Sequence, residues 1–279
     1  MKIPPYWTTE RSRGCDGQMW RLRGISFTSM DDARERLETR RRLRTEFLRT
    51  AGGNVDAYRA KLRALDEVGE DKYSVLVLEP VVQQLEEDLV ITRNRYGVQV
   101  LNSTSHCFVD VDEVPLSFGE TVRGWLGHKL TPEEKLLGIV RSLCEQDSSL
   151  GARVYRTHNG WRIMLTGNNL APDSERMKQL FAALHADPLY ASMCERQQCW
   201  RARLTPKPYR VGITGFPHPV DSQSIHSTES QKWLARYEAA CGGKAVCRLV
   251  DCIGRPIGGE VVELHDHLTR ARVPDLPLA

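Results

Sequence analysis

Val154-Tyr-Arg-Thr-His-Asn-Gly-Trp-Arg-Ile-Met-Leu165 reads as two strands around a turn. Arg153 to Arg156 and Trp161 to Thr166 form the strands, and Thr157-His158-Asn159-Gly160 has the polar, Gly-ended composition of a turn. In the second strand Trp161, Ile163 and Leu165 share one face and leave Arg162 on the other, because strand side chains alternate. Upstream, His106-Cys-Phe-Val-Asp-Val-Asp112 is a further strand. Between the two, Thr131-Pro132-Glu133-Glu134 opens a helix to about Gln146, with Thr as cap, Pro at the first position and acids in the first turn. Strands and helices alternate without the Gly-rich turns of a dinucleotide-binding unit, so the class is α+β.

Working outward, residues 1–28 predict one or two strands, and Ser29 caps a charged helix to about Thr50. Gly52-Gly53-Asn54 breaks it before a second, amphipathic helix from Val55 to Val68. A buried run at Ser74–Leu78 leads to a helix expected near Pro80, then to a hairpin of Leu89–Arg93 and Val98–Leu101 through Asn94-Arg-Tyr-Gly97. Later helices are expected at 173–185, 229–241 and 261–269, a strand at 245–250 and a long loop at 214–228. The expected division is a strand-helix-helix extension at 1–72, an α+β core at 73–228 and a helix-strand-helix subdomain at 229–279.

The 279 residues carry 39 Lys+Arg against 36 Asp+Glu, a balance that argues for neither a membrane protein nor a strong nucleic-acid binder. No apolar run approaches the roughly 18 residues of a membrane helix, and the start Met-Lys-Ile-Pro-Pro-Tyr-Trp lacks a secretion signal, so the setting expected is cytoplasmic. Eight cysteines show no Cys-x-x-Cys pair, and their spacings with His265 and His267 match no zinc pattern, so they read as reduced thiols. Of the 39 basic residues 30 are Arg, which forks onto phosphate and stacks on bases, so the places where they cluster matter more than the total.

Three blocks can carry chemistry. Asp110 and Asp112 share a strand face roughly 6.5 Å apart, a spacing that suits one hard cation or a metal pair, against the plainer reading of an exposed polar face. Arg156, Thr157 and the turn amides around His158 can surround a phosphate, with Arg162 adding charge. In Cys199-Trp-Arg-Ala-Arg-Leu-Thr-Pro-Lys-Pro-Tyr-Arg210 the residues Arg201, Arg203, Lys207 and Arg210 lie in a stretch without acids from Arg196 to Val220. Trp200 and Tyr209 add stacking surfaces suited to a single-stranded nucleic acid, and the alternative is a structural strand paired with Asp110 and Asp112.

In order and strand context these blocks resemble the catalytic core of the archaeo-eukaryotic primase superfamily, over about residues 88–215. Asp110 and Asp112 match its Asp-x-Asp strand, and Thr157, Gly160 and Arg162 its Ser/Thr-x-x-Gly-x-His element, with Arg in place of His. Arg203-Leu-Thr-Pro-Lys-Pro208 is loosely similar to the Arg-Leu-Pro-Gly segment of plasmid-type members. The chain as a whole resembles a bacterial family, of no assigned activity, that shares the Arg-Ala-Arg-Leu-Thr-Pro-Lys-Pro block.

The primase resemblance implies an RRM-like antiparallel or mixed sheet with helices on one face. It implies a nucleotidyltransferase of primase or primase-polymerase type, with Mg or Mn at Asp110 and Asp112. Nucleoside triphosphate would lie at Arg156, Thr157, His158 and Arg162, and nucleic acid at Trp200, Arg201, Arg203, Lys207, Tyr209 and Arg210. The family's third carboxylate has no clear counterpart; Glu113, Asp187 and Asp221 are candidates. A scaffold that keeps this core as a nucleic-acid-binding or regulatory module, and a metal-dependent nuclease, are the alternatives.

Overall fold

The computed structural model describes residues 1–13, 19–50, 76–112, 114, 131–217 and 221–279. The expected helix at 55–68 and Glu113 lie outside the described residues. Strands β1 (Tyr6–Arg13) and β2 (Met19–Ser26) form a hairpin against helix α1 (Met30–Thr50). The core holds two four-stranded antiparallel sheets. One is ordered β10-β7-β8-β6, from β6 (Cys107–Val111), β7 (Gly151–Thr157), β8 (Trp161–Thr166) and β10 (Cys247–Gly254). The other is β3-β4-β5-β9, from β3 (Val81–Glu86), β4 (Leu89–Arg93), β5 (Gln99–Ser103) and β9 (Trp200–Arg203). The remaining helices among the described residues are α2 (Pro132–Gln146), α3 (Glu175–Ala183), α4 (Pro188–Gln197), α5 (Thr228–Cys241) and α6 (Glu260–Thr269). The class is α+β, and among the described residues no helix is long and apolar enough to cross a membrane.

Local chemistry explains most of these elements. Thr131 Oγ1 accepts the Glu134 amide at 3.1 Å while the Glu134 carboxylate accepts the Thr131 amide at 2.8 Å, a reciprocal cap that fixes the start of α2. The β4–β5 turn closes through Asn94, and Gly97 takes φ +85°, which a side chain would strain.

Three expectations are corrected. The segment after Pro80 is strand β3 and not a helix: Val81 and Val82 are β-branched, and a two-residue turn at Glu87-Asp88 folds them onto β4. Residues 229–279 are not a separate unit, because β10 is hydrogen-bonded to β7, and Cys247, Val261 and Val262 share one core with Phe108 and Ile163. Helices cover both faces of the β6 sheet. Cys107, on one face, meets Met177 of α3, while Phe108 and Tyr155, on the other, meet His265 of α6.

The two sheets meet where β6 and β9 come together under α4. The Tyr190 hydroxyl lies 3.0 Å from the Phe108 carbonyl on β6 and 3.0 Å from the Arg201 carbonyl on β9. The Asp187 amide at the start of α4 donates to the Asp110 carbonyl at 2.9 Å. From the other side the β7–β8 turn closes on the same strand end: a Cβ on Gly160 would lie 2.1 Å from the Val111 carbonyl oxygen. Gly160→Ala is therefore expected to lose about 1–3 kcal/mol of stability, with the turn pushed off β6. Chemical denaturation reads this, and an unchanged midpoint would refute the contact.

Candidate phosphate site at the end of strand β6

Asp110 pairs with Arg162 across β6 and β8, and Arg162 with Tyr155 across β8 and β7, so the three side chains share a face. Arg162 is only 3% exposed. Its Nε lies 3.9 Å from Asp110 Oδ1, its Nη1 donates to the Arg203 carbonyl at 2.8 Å, and the same nitrogen is 3.3 Å from His265 Nε2. The Asp110 carboxylate is 42% exposed, so the pair has one wet and one dry end. Arg203 follows on β9: burial pulls its guanidinium down to about 10, the charges of Arg162 and Arg210 add to this, and Asp110 opposes it.

Beneath this pair lies a buried network that the sequence reading missed. Asp266 accepts from Arg153 Nη2 at 2.6 Å, the Tyr155 hydroxyl at 2.8 Å and Arg272 Nε at 2.8 Å, and lies 3.1 Å from His265 Nδ1. Burial opposes its ionisation, but the bonds from His265 and Tyr155 and the charge of Arg153 outweigh it and hold the carboxyl at about 2. His265 has an acceptor at Nδ1 and a guanidinium donor at Nε2, which fixes the neutral tautomer with its proton on Nδ1. Burial, the main cause, and the nearby arginines push its pKa down to about 4 against the pull of Asp266. The signal was available: Val261, Val262, His265, Asp266 and Thr269 make up the buried stripe of α6, which puts an adjacent His and Asp into the core.

Several expected site residues have other partners. Arg156 sits opposite Trp161, on the other face from Arg162, with its guanidinium carbon 4.3 Å from the Trp161 ring centroid, so the two arginines do not enclose one phosphate. Thr157 Oγ1 accepts the Gly160 amide at 3.1 Å and serves the turn. His158 is exposed, with Nδ1 2.8 Å from the Leu278 carbonyl oxygen, while the Ala279 oxygen lies 3.4 Å from Arg203 Nη1. Trp200 is 1% exposed and meets Phe181 edge-on in the core, and Arg201 is buried with two bonds to Glu79 at 2.6 and 2.7 Å. Neither of these faces a nucleic acid. Lys207 and Tyr209 do remain at the surface, with Tyr209 69% exposed, and Arg210 is half-exposed; Lys207 precedes the short helical turn Pro208–Val211 that carries the other two. Burial works against ionisation of the Tyr209 phenol, but the charges of Lys207 and Arg210 pull it below its ordinary value.

The described donor set for a metal is short. Asp110 and the exposed Asp112 stand at the end of β6, but no group of three His, Cys, Asp or Glu side chains converges among the described residues. Asp187 caps α4 through the Leu189 amide, and the Asp221 carboxylate is bonded to the Gln223 amide and the Ser224 hydroxyl. Comparison with family models, with curated proteins and with solved structures found no match to this chain.

The buried His265 gives a pH test. Its folded pKa of about 4 lies below the ordinary 6.5, so below pH 6.5 the unfolded chain takes up a proton that the folded chain refuses. Stability is expected to fall between pH 6.5 and 4 by on the order of 3 kcal/mol, and His265→Gln to flatten that interval. Denaturation at a series of pH values measures it; equal slopes for both proteins would contradict the assignment.

Proposed function

We propose that this chain is a nucleic-acid-binding protein on a primase-type core, acting in the cytoplasm, with a phosphate backbone held along Arg203, Lys207, Tyr209 and Arg210. The observation that carries the reading is the crowding of positive charge beside Asp110. Burial is the main cause that lowers the Arg203 guanidinium, and the charges of Arg162 and Arg210 lower it further, with Asp110 the opposing carboxylate. An anion at this corner relieves that repulsion. Among the described residues β6, α2, β7 and β8 follow in that order, with β6 paired to β8 and β8 to β7, the strand-helix-hairpin order of an RRM-like half, which supports the primase-type scaffold. Free thiols at every described cysteine agree with a reducing compartment.

Metal-dependent nucleotidyl transfer is the second reading, favoured by Asp110 and Asp112 at one strand end. Mg or Mn is commonly held by one or two carboxylates together with substrate phosphates, and these two would be its protein ligands. Such a metal supplies charge stabilisation as a 3′ hydroxyl attacks a nucleoside triphosphate. Arg162 already pairs with Asp110 and the charge of Arg203 lies close by, which is why binding is placed first.

The two readings separate in one set of measurements on labelled single-stranded DNA and RNA. Binding that weakens with salt, persists in Asp110→Asn/Asp112→Asn and drops at least tenfold in Lys207→Ala/Arg210→Ala is the expected result. Incorporation of nucleotides with Mn or Mg, lost in the double Asp variant, would instead establish transfer. Absence of both binding and incorporation would sink the proposal.

A further inference from the structure

Beyond helix α6 the segment Leu276–Ala279 passes the β7–β8 turn and reaches Arg203. It is fastened first to Ala245, which forms a parallel bridge with Leu278: the Ala245 amide donates to the Pro277 carbonyl at 3.1 Å, and the Ala279 amide to the Ala245 carbonyl at 2.9 Å. Two exposed side chains then hold its main chain from outside. Arg248 Nη2 on β10 donates to the Leu276 carbonyl at 2.9 Å. His158 Nδ1 in the β7–β8 turn lies 2.8 Å from the Leu278 carbonyl oxygen, an acceptor that places a proton on that nitrogen. Ala279 is 2% exposed, so the tip of the segment is seated against the protein.

The bond that the tip makes to Arg203 is weaker than the bonds that fasten the segment. Arg203 Nη1 lies 3.4 Å from the Ala279 oxygen and 3.5 Å from the Thr205 carbonyl oxygen, both near the outer limit of a hydrogen bond. A guanidinium meets an anionic oxygen at about 2.7–2.9 Å and binds it roughly twice as strongly as a neutral one. Nη1 carries two N–H bonds, so a phosphate that uses this nitrogen has to replace Thr205 or Ala279. Thr205 is two residues along the same chain from Arg203, whereas Ala279 is brought from 76 residues away and is the one that can leave.

We propose that Leu276–Ala279 is an autoinhibitory strap, whose tip and a nucleic-acid phosphate compete for the Arg203 guanidinium. The inference rests on the reading of Arg203 as a phosphate ligand, and adds that the free protein holds this part of the site closed. Affinity is then lowered by the fraction of molecules in which the strap is shut.

Cutting the segment away would open the socket of the buried Ala279, so the test loosens the strap from outside. His158→Ala/Arg248→Met removes two fasteners at exposed positions and leaves Arg203, Lys207, Tyr209 and Arg210 in place. Fluorescence anisotropy with labelled oligothymidine gives the affinity, and hydrogen exchange of the Ala245 and Ala279 amides, with and without the oligonucleotide, follows the strap. The variant is expected to bind about 3- to 10-fold tighter although it has lost a cation, and saturating oligothymidine to speed exchange of both amides in the unmodified chain. Tighter binding that disappears when Lys207→Ala/Arg210→Ala is added sustains strap and site together, even where the unmodified chain gives no signal. Binding through Lys207 and Arg210 that is unchanged or weaker in the variant, or amide exchange unmoved by the oligonucleotide, would overturn the strap and leave the site standing. Binding by neither protein, or binding indifferent to Lys207 and Arg210, would remove the phosphate reading of Arg203 and the strap with it.

Discussion

A guanidinium cannot be buried without partners, and Arg162 at 3% exposure is the place where this constraint governs the fold. Its partners come from three other elements: Asp110 on β6, the Arg203 carbonyl on β9 and His265 on α6. Seating that one side chain therefore requires the β6–β8 register, the meeting of the two sheets and the docking of the last helix all at once. A slip of one residue in β8 would turn Arg162 into the apolar face of Val109, Val111 and Ile163. The charge balance continues inward, since burial and the charges of Arg162 and Arg153 keep His265 neutral while Asp266 fixes its proton on Nδ1, and Asp266 stays ionised because His265, Tyr155 and Arg153 hold it.

The arginine-rich block 199–210 divides along the same logic. Trp200 and Arg201, at the start of β9, are inside the protein, where Glu79 supplies a paired carboxylate for a guanidinium that water cannot reach. By Lys207 the chain has left the sheet, and its cations face solvent. A run of basic residues without intervening acids is thus not one surface. The acid for Arg201 arrives from more than a hundred residues earlier, and what a ligand can reach is the half-buried Arg203 and the cations beyond Thr205.

What was legible in the sequence is what local chemistry decides. The capping box of α2, the Asn94–Gly97 turn and the alternation in β6 and β8 each lie within a few residues, and each forms as expected. Helix α4 carries a local signal as well, with Asp187 as cap and Pro188 at the first position. The Arg201–Glu79 and Arg162–His265 contacts span 122 and 103 residues, and no spacing rule reaches that far. β3 failed for a related reason: its strand state depends on β4, whereas Pro80 by itself reads equally well as the first residue of a helix.

The parity of the β7–β8 hairpin bears most directly on how a phosphate could be held. A pocket built from the hairpin alone needs Arg156 and Arg162 on one side, and the pairing of Arg156 with Trp161 and of Tyr155 with Arg162 sends them to opposite faces. The cation that does join Arg162 belongs to the other sheet: Arg203, brought in by the contacts of Tyr190 and Asp187 at the end of β6. The basic site is thus a property of the junction between two sheets and not of a strand-turn-strand motif. Its geometry is set by α4 and α6, two helices that lie outside the arginine-bearing segments themselves.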